Sequence, residues 1–240
     1  MNLSDSIDVN ADLGEGFPND EALLERVSSA SLSCGAHAGD PAAIRRTLAA
    51  ARTRGVVVGA HPGYPDREGF GRRDMDLDAE TVNLLVANQA LFLKELADAE
   101  GVPIRFLKPH GALYNQAQRG EATARGVVAA AVSLGLPLLG QPGTRLESLA
   151  KAAGVEYIPE GFPDRRYLPD GSLTPRTQPD AVIHDPDELA ANVRALLEGG
   201  RVRTLCLHGD HPDAVAHADR LRAILDGLGI AVRPFAGDSP

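Results

Sequence analysis

The chain has 240 residues, 43% of them hydrophobic and 24% charged, with a formal net charge of -9. That is enough apolar material for one large core, and no Pro/Ser/Gly-rich linker or charge block divides it, so one domain over 1–240 is expected. The acidic balance argues against nucleic acid or an anionic membrane as partner, because both require a basic face against phosphate.

Ile7-Asp8-Val9-Asn10-Ala11-Asp12-Leu13 alternates apolar and polar side chains at period two, which suits a strand. Asp8, Asn10 and Asp12 share one face, and a solvated strand face is one reading of that pattern. Gly14-Glu15-Gly16-Phe17-Pro18 ends the strand, and a helix is predicted over 20–27 with Asn19 or Asp20 as its cap. A second strand spans 30–34; Asp40 and Pro41 then open a helix over 42–54 that stops at Gly55. Residues 56–60 form a short buried-type strand running into His61-Pro62-Gly63-Tyr64-Pro65-Asp66 and Gly69-Phe70-Gly71-Arg72-Arg73. Such long loops often carry function, although Arg72-Arg73 alone reads as a plain surface pair.

Ala79–Ala99 has the periodicity of a long helix with Asp78 as its cap, and Ile104–Leu107 is a strand. Directly behind that strand, Lys108-Pro109-His110-Gly111-Ala112-Leu113-Tyr114-Asn115 brings a cation, an imidazole and a phenol together. A helix over 122–134, a strand over 136–139, a helix over 146–153 and a strand over 155–160 continue the rhythm. The stretch 161–180 holds Asp164, Arg165, Arg166, Tyr167 and Arg176; it is too long for an ordinary connection and reads as a lid or ligand loop. Helix Pro186–Glu198, a strand over 202–207, the turn His208-Gly209-Asp210-His211-Pro212, a helix over 213–228 and an apolar run over 230–235 close the chain.

Seven or eight strands, each followed by a helix, imply an α/β protein with a parallel sheet, because crossovers between parallel strands need a helix-length connection. So many repeats without a nucleotide fingerprint favour a (β/α) barrel, in which the carboxyl ends of the strands converge on one face. Those ends are Asp12, His37, His61, Lys108 with His110, Glu160, and His208 with Asp210.

A lone histidine is more often a satisfied core residue than a catalyst. Here four of seven, His37, His61, His110 and His208, lie at predicted strand ends beside glycine or proline. His184 and His217 read as surface residues, and His211 has no comparable support. The set suits hydrolysis: imidazole or carboxylate to move a proton, a cation such as Lys108 to meet an oxyanion or a substrate carboxylate, and an acid for a leaving nitrogen. Asp12 with His37 and His61 could alternatively hold a divalent metal, although no HxxH or HExxH spacing supports it. Gly14-x-Gly16 and Gly69-x-Gly71 complete neither GxGxxG nor GxxxxGK[ST]. Cys34 and Cys206 lie outside any CxxC or Cys/His zinc spacing, so neither a disulfide framework nor structural zinc is expected. The most apolar window, 126–140, is too short for a membrane span, and no basic segment with an apolar core opens the chain, so a cytoplasmic location is expected.

From Ile7 to about Ile230 the sequence resembles the LamB/YcsF family. The blocks that carry the resemblance are Asp8-Val-Asn-Ala-Asp-Leu-Gly-Glu15, Cys34-Gly-Ala-His-Ala-Gly-Asp-Pro41, Gly59-Ala-His-Pro-Gly-Tyr-Pro-Asp66, Gly69-Phe-Gly-Arg-Arg73, Lys108-Pro-His-Gly-Ala-Leu-Tyr-Asn115, Phe162-Pro-Asp-Arg165 and His208-Gly-Asp210. The resemblance implies a (β/α)7 TIM-like barrel of the glycoside hydrolase/deacetylase type. It also implies a share in the ATP-driven opening of the 5-oxoproline lactam to L-glutamate, together with 5-oxoprolinase subunits B and C. ATP would be a cosubstrate of the complex, with Mg as its metal, and the partners are expected to activate the lactam because no nucleotide loop is present here. By position, Asp12, His37, His61, Lys108, His110 and His208 would be catalytic, and Asn10, Glu15, Tyr114, Glu160, Asp164, Arg165 and Asp210 would bind substrate. Asp12 or His110 is expected as general base, Lys108 at the substrate carboxylate or oxyanion, and Arg165 as a second anion clamp. A metal-dependent amidase or deacetylase for a carbohydrate or acylated amine, and a non-catalytic scaffold, are the alternatives. Where the family usually reads Asn-Ile-Ala-Cys-Gly-Phe-His, this chain has Ser31-Leu32-Ser33-Cys34-Gly35-Ala36-His37. Pro163 replaces a usual alanine, and Gly161 a larger apolar residue; these departures bear on pocket shape and leave the ionisable set intact.

Overall fold

Alternating side chains on seven short strands build a barrel whose inside is partly polar. The computed structural model describes residues 4–175, 178–210 and 212–235, so Arg176 and His211 lie outside the described residues. The strands are β1 (Ser6–Leu13), β2 (Ser29–Ser33), β3 (Val57–His61), β4 (Ile104–Leu107), β5 (Leu138–Gly140), β6 (Tyr157–Gly161) and β7 (Thr204–His208). All pair in parallel in chain order, and β1 closes the ring by pairing with both β2 and β7. A short β8 (Ala231–Val232) adds to Ser6 and Ile7 at the start of β1. The (β/α)7 barrel expected from the sequence is the observed fold.

The helices are α1 (Asp20–Leu24), α2 (Pro41–Arg54), α3 (Ala79–Ala99), α4 (Gly111–Arg119), α5 (Glu121–Leu134), α6 (Arg145–Ala152), α7 (Pro186–Glu198) and α8 (Ala214–Gly227). Their apolar faces, among them Ile44 and Leu48 of α2, Val82 and Leu93 of α3 and Leu221 of α8, pack on the outward-facing strand residues. Caps follow the sequence: Asp40 accepts from the Ala42 and Ala43 amides, both at 2.9 Å, and Gly55 ends α2 at φ +66°. Among the described residues no helix is long and apolar enough to cross a membrane.

Four sequence expectations change. Asp8, Asn10 and Asp12 do not face solvent; they point into the barrel at 1%, 0% and 7% exposure, because β1 has strands on both sides and helices outside. The predicted first helix stops at Leu24 instead of residue 27, and an unexpected helix, α4, starts inside the Lys108 block. Gly120 separates α4 from α5, serving as C-cap of one and N-cap of the other. His217 is buried in α8 instead of lying at the surface.

Inside the barrel the β3–β6 side is apolar at one end. Phe106, Leu139 and Ile158 form a plug there, with Phe106 lying against Gly59, where a Cβ would meet the ring at 2.2 Å. The register of β3 on β4 shifts between Val58 and Ala60, so that Ala60 faces Leu107. Such irregularities re-aim side chains, and this one precedes Lys108, whose amide bonds the Ala60 carbonyl at 2.9 Å.

Candidate active site

Above the apolar plug, the inward residues of β1, β4, β6 and β7 meet around one ammonium. Lys108 Nζ lies 2.9 Å from Asp12 Oδ1, 2.9 Å from Glu160 Oε1, 3.1 Å from Asn10 Oδ1 and 2.9 Å from Cys206 Sγ. Asn10 Nδ2 in turn donates to Glu160 Oε1 at 3.0 Å and to Thr204 Oγ1 at 2.7 Å. Burial alone pulls an ammonium down, but Asp12, Cys206 and Glu160 outweigh it and hold Lys108 well above the ordinary lysine value. Asp12 is the counterpart: burial would raise its carboxyl, yet His61, Lys108 and His208 hold it well below the usual range. One layer deeper, burial pushes Asp8 up to about 6 although the hydroxyls of Thr204, Ser28 and Ser29 all donate to it.

Beside Asp12 lies a cluster of imidazoles from the ends of β2, β3 and β4. His61 Nδ1 donates to the Lys108 carbonyl at 2.8 Å, and His110 Nε2 donates to the Phe70 carbonyl at 2.8 Å. His61 Nε2 and His110 Nδ1 face each other at 3.0 Å, and Asp12 Oδ2 is 3.5 Å from His61 Nε2. Glu15 Oε1 is 3.0 Å from His37 Nε2 and 3.3 Å from His110 Nδ1. His37 stacks on His110 with ring centroids 3.8 Å apart and planes 3° apart. The loop glycines allow this packing: a Cβ on Gly63 would meet His37 Nδ1 at 2.7 Å, and one on Gly71, at φ +65°, would meet His37 Cβ at 2.9 Å. Burial disfavours charge on the rings, pushing His37 down to about 3 and His61 to about 4, with His110 also well below the usual value. Burial and the nearby Asp12 raise Glu15 well above a normal carboxyl.

A cavity of about 280 Å³ opens over these groups, lined among others by Asp12, Lys108, Tyr114, Arg72, Arg165 and His208. His208 is only half-buried, stacks on Phe162, and has Nδ1 3.2 Å from Asp164 Oδ2. With Nδ1 donating to Asp164 Oδ2, the lone pair is left on Nε2, the arrangement of a base held by an orienting carboxylate. Arg165 anchors the wall that includes Phe162, Leu173, Thr174 and Pro175, donating from Nε to the Ala181 carbonyl at 3.2 Å and from Nη2 to the Thr174 carbonyl at 2.6 Å. Arg72 pairs with Asp210 and lies over the Phe70 ring, 4.9 Å from its centroid.

The family model described as "LamB/YcsF family" matches residues 7–239. The chain belongs to the LamB/YcsF family. A relative from Methylococcus capsulatus, named as the A subunit of 5-oxoprolinase, is 45% identical, the alignment covering 98% of each chain. The crystal structure of a "Lactam Utilization Protein" from Thermus thermophilus superposes with a TM-score of 0.88 at 40% identity, covering 96% of this chain and 100% of that one. A family 4 carbohydrate esterase from Streptomyces lividans superposes with a TM-score of 0.53 at 12% identity, covering 98% and 95%; it shares the fold.

In this LamB/YcsF barrel, the residues selected from the sequence fall into three groups. Asn10, Asp12, Lys108 and Glu160 form the buried charge network; Glu15, His37, His61 and His110 form the imidazole cluster; Tyr114, Asp164, Arg165, His208 and Asp210 surround the cavity and its rim. Among the described residues, two sets have donor atoms close enough to share a metal ion: Glu15, His37, His61 and His110, and Asp12, Cys206 and His208, within 4.8 Å in each case. The metal set considered from the sequence, Asp12 with His37 and His61, is neither of these. The site residues selected from the sequence did not include Arg72, Phe70, Thr204 or Cys206. Arg72 had a readable signal, its place in the Gly-Phe-Gly-Arg-Arg block, whereas Thr204 and Cys206 reveal themselves only through the inward parity of β7.

Proposed function

We propose that this chain is the lactam-opening subunit of an ATP-coupled 5-oxoprolinase, hydrolysing the ring amide of 5-oxoproline to L-glutamate in a complex with subunits B and C. The observation that carries this reading is the cavity of about 280 Å³ into which an oriented imidazole, an ionised carboxylate and two guanidinium groups converge. That volume and charge suit a small anionic cyclic amide. The relatives named as the A subunit of 5-oxoprolinase and as a lactam utilization protein, similar over nearly the whole chain, support it.

In the step proposed, His208 Nε2 takes a proton from water as the water oxygen adds to the lactam carbonyl carbon. Negative charge moves to the carbonyl oxygen, and Arg72 and Arg165 provide the cationic wall for it and for the substrate carboxylate. When the C–N bond breaks, the His208 imidazolium returns its proton to the departing nitrogen. His110, first considered as base, has Nε2 engaged by the Phe70 carbonyl and Nδ1 turned toward His61 and Glu15, which favours His208. Lys108, with four partners already around its ammonium, is assigned to keeping Asp12 charged instead of contacting the substrate directly. ATP, with Mg2+, is assigned to subunits B and C, where its hydrolysis to ADP and phosphate is coupled to this ring opening.

The test is reconstitution: chain, subunits B and C, ATP and 5-oxoproline are mixed, and glutamate is measured with each component omitted in turn. Glutamate is expected only from the full mixture and is expected to fall sharply when His208→Ala replaces the wild-type chain. Unchanged turnover by an intact variant complex would reduce the chain to a scaffold. ATP-independent hydrolysis of an acylated sugar amine by the isolated chain would favour a deacetylase.

A further inference from the structure

We infer that the imidazole cluster beneath the cavity is a site for a divalent transition metal of the zinc class, held by His61 Nε2, His110 Nδ1 and a Glu15 oxygen. The inference is independent of the reaction proposed above and stands whether or not the chain opens a lactam.

It begins with two backbone carbonyls. A carbonyl oxygen only accepts, so the Lys108 carbonyl requires hydrogen on His61 Nδ1, and the Phe70 carbonyl requires hydrogen on His110 Nε2. In neutral rings the remaining nitrogens, His61 Nε2 and His110 Nδ1, then both carry lone pairs, yet they face each other at 3.0 Å. Two lone pairs at that distance repel unless a cation sits between or beside them. A proton is one such cation, but it bridges only the two nitrogens, whereas Glu15 Oε1 also lies 3.3 Å from His110 Nδ1 and 3.9 Å from His61 Nε2. A metal needs the rings neutral and uses both lone pairs. Donation of the second ring N–H to a main-chain carbonyl is also what fixes a metal-binding histidine in its tautomer and orientation.

The spacing agrees. Ligands about 2.0–2.2 Å from a tetrahedral ion lie roughly 3.3 Å from one another. Here Glu15 Oε1 is 3.3 Å from His110 Nδ1 and 3.9 Å from His61 Nε2. His37 has a different part. Its ring is parallel to His110, 3° apart in plane, so in-plane lone pairs on the two rings do not converge on one point. His37 Nε2 lies 3.0 Å from Glu15 Oε1 and serves to orient that carboxylate. Two imidazoles with carboxylate oxygen suit zinc, cobalt or nickel, whereas magnesium prefers an all-oxygen shell.

The purified full chain, stripped with chelator and dialysed, is titrated separately with Zn2+, Co2+ and Mg2+. One equivalent of Zn2+ or Co2+ per chain is expected, with visible d–d absorption for Co2+ and a raised Tm, and no comparable effect of Mg2+. His61→Ala and His110→Ala should lose the stoichiometric site, Glu15→Gln should weaken it at least about tenfold, and His208→Ala should retain it. Should the alanine variants misfold by circular dichroism, Glu15→Gln and side-chain 15N spectra of the wild type decide: Zn2+ should move the resonances of His61 Nε2 and His110 Nδ1. Absence of stoichiometric Zn2+ and Co2+ binding by the folded chain overturns the site, as does binding that survives loss of His61 and His110. Loss in His208→Ala but not in His61→Ala would place the ion at Asp12, Cys206 and His208 and likewise overturn it.

Discussion

In the reaction proposed, the half-buried His208 and its carboxylate partner Asp164 are the residues whose replacement is expected to affect chemistry more than folding. In the reconstituted complex, His208→Ala is expected to lower kcat about 10²–10⁴-fold, the usual worth of a positioned proton carrier. Asp164→Asn should cost less, because it misorients the ring without deleting it, and the double variant should be no worse than His208→Ala by steady-state kinetics. Deeper in the barrel, Asp8 makes a prediction about pH. A carboxyl whose folded value is raised holds its proton more tightly in the folded chain, so its stabilising contribution is full below pH 4 and is lost as the pH rises through about 6. The shift corresponds to about 3 kcal/mol. Asp8→Asn should therefore flatten the fall in unfolding free energy between pH 4 and 6.5 measured by urea titration; an unchanged profile would assign that slope to other groups.

At the scale of elements, α3 and α5 approach closely because α5 carries a glycine where they meet. A Cβ on Gly126 would lie 2.6 Å from the Ala79 carbonyl oxygen and 2.6 Å from Val82 Cβ. Alanine is the better helix former by about 1 kcal/mol, but a contact with backbone cannot be relieved by a rotamer change. Overpacking wins, and Gly126→Ala is expected to destabilise the chain by about 1–3 kcal/mol, seen as a lower urea midpoint with an unchanged m value. A stabilised variant would mean that the two helices can separate at little cost.

For the molecule as a whole, closure of the barrel rests on β1, which pairs with β2 on one side and β7 on the other. Neither half of the chain can complete the ring, or the Lys108 network that draws on β1, β4, β6 and β7, without the other. Unfolding is therefore expected as one calorimetric transition, coincident with loss of far-UV and tyrosine near-UV circular dichroism. Two separated transitions would divide the chain into independent folding units.

Period-two strands, helix caps at Asp40 and Asp78, and ionisable groups placed just after the strands were legible in the sequence because each is a local property of a few neighbouring residues. They sufficed for the barrel and for most of the residues around its mouth. The sense in which β1 presents Asp8, Asn10 and Asp12 was not local: one face of a strand is polar whether it meets water or a charged interior, and only closure by β2 and β7 turns it inward. Helix α4 was hidden by the polar Lys108 block, whose side chains are read as a loop until their partners across the barrel are known. The tertiary structure also decided which histidines work together. His61 and His110, far apart in the chain, have their tautomers chosen by two carbonyls, and those bonds exist only once the loops carrying Phe70 and Lys108 have folded over the barrel.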